Sequence, residues 1–372
     1  MTRYSVFKLE EWFERYEFDV EHLLGSSSCA GMTVSELSEI TGEAFNFEGL
    51  SLGATPGPGS ADLRDAVSSW YSQGSLENVY ITSSSTEAIF LLIESMVSKG
   101  DSIVAMFPMY PALYQLAEDN GVEVRNWKLD HANRFEPDFD ELSELVDETT
   151  KLIIINNPQN PTGQIMLERE LRHLADFARE KGIQLWVDEV FRGITVDGGP
   201  LTPSIRDIDE SAIATGSMSK TFGLSGLRVG WITAPKHVLD NLLHIRFYTT
   251  VTAPVVEQKI AAAAHRHREK VIGRNQAIVD ENFAYLKNWM VERNGVFDWV
   301  PPKGGPVTFP KFANDVSTDD FCLKLVEDHS VLIPPGKYAF NTEGFIRIGY
   351  GESRQFEEAI SRVSDALEQF FS

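Results

Sequence analysis

Cysteine is nearly absent from this chain. Its 372 residues include only Cys29 and Cys322, which are far apart and belong to no C-x-x-C pair. Secreted domains held together by disulfides, and zinc domains with thiolate ligands, need several cysteines at short spacings. The sequence therefore indicates neither a disulfide framework nor a metal site, and it favours a cytoplasmic location.

Long apolar runs are missing as well. The first 18 residues mix charged and aromatic side chains, whereas a secretory signal peptide requires an apolar central region. No segment approaches the roughly 20 consecutive apolar residues that a transmembrane helix requires. We therefore expect a protein that is neither secreted nor inserted in a membrane.

Positive charge is in the minority. The chain has 33 Lys and Arg residues against 55 Asp and Glu residues, which gives a formal net charge of −22 at pH 7. Nucleic acids and anionic membranes attract clustered Lys and Arg. The charge balance speaks against both as main partners and gives no information about the chemistry.

Strand-like and helix-like segments alternate through the middle of the chain. Several strand-like segments are apolar on both faces, which is typical of parallel strands covered by helices. The alternation predicts an α/β fold with a mostly parallel sheet, in which ligands bind at the carboxyl ends of the strands. The strand-like segments are 101–107, 122–129, 151–157, 183–190, 211–217 and 228–234, and helical patterns cover 60–73 and 86–100.

The pattern changes near residue 254. A long helical run at 255–295 is followed by short strands and further helices, which predicts a second, smaller α+β domain. We expect a large ligand-binding domain at 49–255 and a small domain at 256–372. The N-terminal segment, 1–48, is expected to pack with the small domain.

Polar residues stand where the predicted strands end. Asp188 closes an apolar strand, so its carboxylate needs a cationic or hydrogen-bonding partner. Asn160 follows the preceding strand in the turn NPTG. Ser84, Ser85 and Thr86 lie between a strand and a helix, where free backbone N–H groups favour an anion.

Lys220 lies in the stretch SMSKTFG among apolar neighbours. A lysine in such surroundings either extends to the surface or functions with a lowered pKa. Ser217 and Ser219 precede it and Arg228 follows eight residues later. These two serines and the arginine, with the strand-end residues, are suited to a phosphate.

Pyridoxal 5′-phosphate (PLP) is the one ligand that uses all these groups. Its aldehyde requires an amine, which Lys220 would supply. Asp188 would keep the pyridine nitrogen protonated, Asn160 would donate to the phenolic oxygen, and Tyr110 would stack on the ring. Each residue alone has an ordinary structural interpretation, such as Tyr110 in the core or Ser217 bonding to the backbone.

The motifs NPTG (160–163), VDEV (187–190) and SMSK (217–220), followed by Arg228, resemble those of class I/II aminotransferases of PLP fold type I. The resemblance extends from about residue 56 to residue 351. It implies that Arg347 binds the substrate α-carboxylate as a bidentate partner. It also implies that Lys220 moves the α-proton of an amino-acid substrate.

The chain departs from the common family pattern near the cofactor. Family members usually carry a tyrosine three residues after the aspartate, and this chain has Phe191. The phosphate turn usually has a glycine where Ser84 stands. A tyrosine that reaches the phosphate in the neighbouring subunit is replaced near Ala54 or Thr55. The cofactor pocket is therefore expected to be kept, with different side chains contacting the cofactor.

Five segments are similar to a narrower family, the capreomycidine synthases and the related enzymes that make enduracididine. They are LEEWF (9–13), LGSSSCAGMTVSEL (24–37), STEAIF (85–90), SKTFGLSGLRVGW (219–231) and RFYTT (246–250). The resemblance implies cyclisation of a hydroxylated arginine, by elimination and intramolecular addition of its guanidine. Glu10 or Glu11 would then orient the guanidinium. β-Elimination and γ-elimination remain equally open.

Two other functions are compatible with the cofactor set. An ordinary aminotransferase would pass the amino group to a 2-oxo acid. A PLP-binding regulator would usually carry a DNA-binding domain, which the acidic charge disfavours. Family resemblance further implies a homodimer in which the neighbouring subunit, through a segment such as RFYTT, completes the active site.

Overall fold

A mostly parallel sheet organises the larger part of the chain. The computed structural model describes residues 4–352 and 355–371. Its main sheet comprises β1 (Val79–Thr82), β2 (Ser102–Phe107), β3 (Glu123–Lys128), β4 (Thr150–Asn156), β5 (Gln184–Asp188), β6 (Ile213–Ser217) and β7 (Gly230–Thr233). The order across the sheet is β1-β7-β6-β5-β4-β2-β3, and β7 runs antiparallel to both of its neighbours. The predicted α/β class is confirmed.

Helices cover both faces of this sheet. The alternation of side chains along a strand explains the continuous apolar sequence of β4. Ile153 and Ile155 belong to the core on one face, and Leu152 and Ile154 belong to the core on the other. The helices are α1 (Lys8–Tyr16), α2 (Val34–Thr41), α3 (Ala61–Ser68), α4 (Ser85–Met96), α5 (Gln115–Asp119), α6 (Phe139–Glu144), α7 (Glu168–Lys181), α8 (Lys236–Arg246), α9 (Val255–Arg266), α10 (Arg268–Glu292), α11 (Thr318–His329), α12 (Gly336–Phe340) and α13 (Phe356–Phe371).

The C-terminal part has a core of its own, built on α10, α11 and α13. Its strands are the short pairs β8 (Phe297–Asp298) with β10 (Lys311–Phe312), and β9 (Val307–Thr308) with β11 (Ile348–Gly349). Trp12 and Leu24 of the N-terminal segment are buried in the same core. We retain the division at residues 49 and 256 as a proposal.

Three helical segments differ from the expectation. The helix expected at 60–73 ends at Ser68. The helix expected at 86–100 ends at Met96, and the side chain of Asp101 accepts a hydrogen bond from the Ser98 N–H at 2.9 Å in the turn that follows. The run expected at 255–295 is divided at His267, whose backbone leaves the helical region with φ −103° and ψ 25°. No helix in the described ranges is long and apolar enough to cross a membrane.

The close packing of β7 against the start of α4 sets the shape of the phosphate turn. A Cβ atom on Gly230 would lie 2.5 Å from both the carbonyl carbon of Ser84 and the nitrogen of Ser85. Real Cβ atoms do not approach backbone atoms so closely, so any larger residue at position 230 would displace the first turn of α4. Glycine is therefore required here by close approach rather than by its φ angle.

We predict that Gly230→Ala destabilises the protein, whereas Gly273→Ala stabilises it. Overpacking at Gly230 should lower the free energy of unfolding by about 1–3 kcal/mol. Gly273 lies inside α10 with open space around its Cβ direction, so alanine should raise the free energy by roughly 0.5–1 kcal/mol. Thermal unfolding followed by circular dichroism checks both signs. Equal midpoints for the two variants would contradict the packing argument.

Candidate active site

A cavity of about 340 Å³ opens at the carboxyl ends of the central strands. It gathers nine of the twelve predicted site residues. The other three, Ser84, Ser217 and Arg347, are buried beside the cavity without lining it. The lining consists of Phe7, Glu10, Ser27, Ser28, Ser85, Thr86, Ile89, Tyr110, Asn160, Asp188, Val190, Ser219, Lys220, Ser225 and Arg228.

The amine of Lys220 contacts the N-terminal segment. Its Nζ donates to the hydroxyl of Ser27 at 2.9 Å and to that of Ser28 at 3.4 Å. Burial and then the positive charge of Arg347 lower the pKa of Lys220, while Glu10 opposes the shift. The two serine hydroxyls thus hold the amine in place. Sequence reasoning missed both serines as site residues, although their SSS run was an available signal.

The carboxylate of Asp188 is buried between hydrogen-bond donors on the two neighbouring strands. Its Oδ1 accepts from the Thr215 hydroxyl at 2.8 Å, and its Oδ2 accepts from the Asn156 amide at 3.2 Å. The indole of Trp186 donates to Thr215 Oγ1 at 3.0 Å, so the Thr215 hydroxyl proton is directed toward Asp188. Burial raises the pKa of Asp188 to about 7, which Thr215 and then Lys220 oppose. Thr215 and Asn156 were not predicted from the sequence.

Asn160 and Arg347 are joined behind the cavity. The Nη1 of Arg347 donates to Asn160 Oδ1 at 3.2 Å, and its Nη2 donates to the carbonyl of Gly25 at 2.7 Å. The Nε of Arg347 is buried without a partner among the described residues. Burial lowers the pKa of Arg347 to about 10, with Glu10 and Tyr110 opposing the shift. The amide N–H groups of Asn160 donate to no group of the described residues and are therefore available to a ligand.

The first turn of α4 and the loop after β6 line the part of the cavity where the sequence predicts an anion. Ser85 and Thr86 begin the helix, so their backbone N–H groups have no acceptor within it. Arg228 is exposed at the opposite rim and donates to the carbonyl of Ser225 at 3.0 Å. Ser217 shapes the loop instead of lining it, because its Oγ accepts from the backbone N–H of Ser219 at 2.9 Å.

Tyr110 connects the cavity wall to α1. Its hydroxyl donates to Glu10 Oε1 at 2.8 Å, and its ring lies 5.5 Å from the ring of Phe7. Burial raises the pKa of Tyr110, and the neighbouring Glu10 acts in the same direction. Glu11 faces away from the cavity and accepts a hydrogen bond from Tyr338. The structure thus separates two glutamates that the sequence did not distinguish.

This donor set fits PLP. Asp188 makes no salt bridge with any residue in the described ranges, and a protonated pyridine nitrogen would offset the cost of burying its carboxylate. The α4 turn with Arg228 suits a phosphate. Phe191 is fully buried against Val190 and Val307 and brings no hydroxyl to the site.

Comparisons with known proteins agree with this geometry. The profile of the family described as Aminotransferase class I and II matches residues 24–363. The chain is 30% identical to the capreomycidine synthase of Streptomyces vinaceus, over 96% of this chain and 93% of that protein.

Two solved structures share the whole fold. A PLP-dependent aminotransferase from Streptococcus suis superposes with a TM-score of 0.93 at 31% identity, covering 99% of each chain. The PLP-dependent cyclase OrfR superposes with a TM-score of 0.91 at 30% identity, covering 100% of this chain and 99% of the other. The chain therefore belongs to the class I and II aminotransferase family and is an enzyme that depends on PLP.

Proposed function

We propose that this enzyme cyclises a hydroxylated arginine, with aminotransfer to a 2-oxo acid as the alternative. The observation that carries the proposal is the cavity wall supplied by the N-terminal segment. Glu10 and the hydroxyls of Ser27 and Ser28 line the same cavity as Lys220. This wall gives an acidic group and hydroxyls to a substrate with a cationic side chain. The similarity to capreomycidine synthase supports the same proposal.

Cofactor binding is assigned to the predicted residues. Lys220 would hold the aldehyde carbon covalently, and Asp188 would pair with the ring nitrogen. Asn160 would donate to the phenolic oxygen and Tyr110 would contact the ring face. The phosphate would lie at the α4 turn, between Ser85, Thr86, Ser219 and Arg228, with Ser84 and Ser217 shaping the backbone from behind. When bound, PLP supplies an electron sink that allows bonds at the substrate Cα to break.

Arg347 is assigned to the substrate α-carboxylate. Its guanidinium is held by Asn160 and Gly25, and the free Nε leaves a donor for the substrate. A charge-assisted pair at such a buried site fixes orientation as well as affinity. With the carboxylate held there, Lys220 would be positioned to remove the α-proton. Burial lowers the pKa of its amine, in the direction that assists a general base.

Ring closure would use groups of the substrate itself. The side-chain hydroxyl leaves as water, and a guanidine nitrogen adds to the unsaturated carbon, so the net change is the loss of one water. The tether between the two reacting groups favours the addition. A 3-hydroxy substrate would give a six-membered ring by β-elimination, and a 4-hydroxy substrate a five-membered ring by γ-elimination. Glu10 would orient the guanidinium in either case.

The alternative function is favoured by a specific finding. The structure of the Streptococcus suis aminotransferase is as similar to this chain as that of the cyclase OrfR. Arg347 and Lys220 would act identically in an aminotransferase. The two reactions differ in whether a 2-oxo acid must accept the amino group, so that requirement is the decisive test.

We also propose a homodimer, in which the 246–250 segment faces the neighbouring subunit. Phe247 and Tyr248 are 53% and 90% exposed, and burial against a partner would remove this apolar surface from water. Sedimentation should give twice the chain mass of 41.7 kDa. A fully active monomer at high dilution would refute the proposal.

Purified enzyme with PLP and no oxo acid should convert 3-hydroxyarginine or 4-hydroxyarginine into a product lighter by one water. The α-amino group should be retained, because the reaction ends by returning it to the product. Mass spectrometry identifies the product, and Lys220→Ala should form none. Strict dependence on an added oxo acid, with loss of the α-amino group, would establish the aminotransferase instead.

Glu10→Gln should weaken substrate binding, and Glu11→Gln serves as its matched control. Removing the charge that faces the guanidinium should raise KM about 10-fold, since a hydrogen bond to a charged group contributes roughly 1.5–3 kcal/mol. Glu11→Gln should leave KM within about 2-fold, because Glu11 bonds to Tyr338 outside the cavity. Equal KM values for both variants would show that Glu10 does not bind the side chain.

A further inference from the structure

A buried glutamate connects the phosphate turn to the segment 246–250. Glu87 lies in the first turn of α4 but does not line the cavity. Its Oε2 accepts from the backbone N–H of Ser83 at 2.6 Å. Its Oε1 accepts from the hydroxyls of Thr249 at 2.7 Å and Thr250 at 2.6 Å. One carboxylate thus accepts hydrogen bonds from both the turn and a segment about 160 residues away.

Arg246 balances the charge of this carboxylate. It is completely buried, and its Nη2 lies 3.8 Å from Glu87 Oε2. Its Nη1 donates to the carbonyls of Gly57 at 2.8 Å and Ile81 at 2.5 Å. Buried ion pairs add little stability over apolar packing because both charges lose their hydration. The Glu87–Arg246 pair is therefore better explained by its effect on the geometry of the turn than by a gain in the stability of the fold.

The turn that Glu87 grips is strained. Ser84 has φ 127°, a region that favours glycine, and a residue held in such a conformation costs about 1–3 kcal/mol. Glu87 bonds to Ser84 and to the residue before it, because its side chain accepts from the Ser83 N–H and its backbone N–H donates to Ser84 Oγ at 3.3 Å. The hydroxyl of Thr82 donates to the Ser84 carbonyl at 2.7 Å. The conformation is therefore maintained by its surroundings.

We propose that Glu87 is a positioning residue for the cofactor phosphate. Anchored by Arg246, Thr249 and Thr250, it holds Ser84 in a glycine-type conformation. The N–H groups and hydroxyls of the next residues, Ser85 and Thr86, are thereby aimed into the cavity. A lone carboxylate this close to an anion site would repel a phosphate, and the buried Arg246 offsets that repulsion. The inference concerns cofactor binding and does not depend on which reaction the enzyme catalyses.

The test compares PLP with pyridoxal, which has the same ring and aldehyde but no phosphate. Full-length Glu87→Gln enzyme is titrated with each ligand, and binding is followed by absorbance. We expect PLP to bind at least 10-fold more weakly than to the unchanged enzyme, with pyridoxal affinity within 2-fold. Glu94→Gln, on the same helix but seven residues further, is the matched control and should change neither affinity. Equal losses for both ligands would overturn the proposal.

The direction of the change in PLP affinity distinguishes a positioning role from a purely electrostatic one. Loss of a negative charge near a phosphate would by itself tighten PLP binding, so unchanged or tighter binding by Glu87→Gln would also refute positioning. Replacing Thr249 and Thr250 by valine removes the two hydroxyl donors and keeps the Glu87 charge. This variant should show a smaller loss, again confined to PLP, and pyridoxal losses of the same size would count against the proposal.

A second substitution tests the mechanism directly. Glycine adopts φ 127° without the penalty that serine carries, so Ser84→Gly should make the Glu87 grip less necessary. In the Glu87→Gln background it should recover at least half of the lost PLP affinity on a logarithmic scale. Absence of any recovery would show that Glu87 does not act through the conformation of Ser84.

Discussion

Burial of the Asp188 carboxylate is the constraint on which the site depends. A carboxylate at the end of an apolar strand needs donors, and the two neighbouring strands provide two of them. In the observed register Asp188 lies opposite Asn156 of β4 and Thr215 of β6, and both bond to it. A shift by one residue would turn these side chains to the other face of the sheet. The strand register and the cofactor site are therefore set together.

The N-terminal segment completes the site from the other side. Ser27 and Ser28 meet the Lys220 amine, and the backbone N–H of Cys29 donates to the Lys220 carbonyl at 3.1 Å. The next residue, Ala30, donates to the carbonyl of Gly351 at 2.8 Å. The segment therefore links the lysine loop to the C-terminal part of the chain. This link lies against Lys220, which is partly buried, and desolvation of its amine is the main cause of its lowered pKa.

The start of α4 shows how a departure from the family pattern is accommodated. Serine at position 84 brings a Cβ and a hydroxyl into a conformation that suits glycine. Gly230 leaves room for the turn on one side, and Glu87 grips it on the other. Gly230 lies outside the local sequence motif, and Glu87 connects that motif to Thr249 and Thr250. The shape of this turn is consequently set by three elements, β7, α4 and the segment after α8.

The sequence alone determined the fold class and the central chemistry. Alternating apolar segments predicted the parallel sheet that the structure shows, and polar residues following those segments made Asp188, Asn160 and Lys220 the predicted cofactor residues, because both patterns depend on neighbours along the chain. Tertiary structure decided the rest. Thr215 and Asn156 became partners of Asp188 only through strand register, and Ser27 reached Lys220 across 193 residues. The orientation of α1 distinguished Glu10 from Glu11, and packing gave Ser84 its unusual φ. These features depend on contacts between distant segments, whose geometry no local pattern encodes.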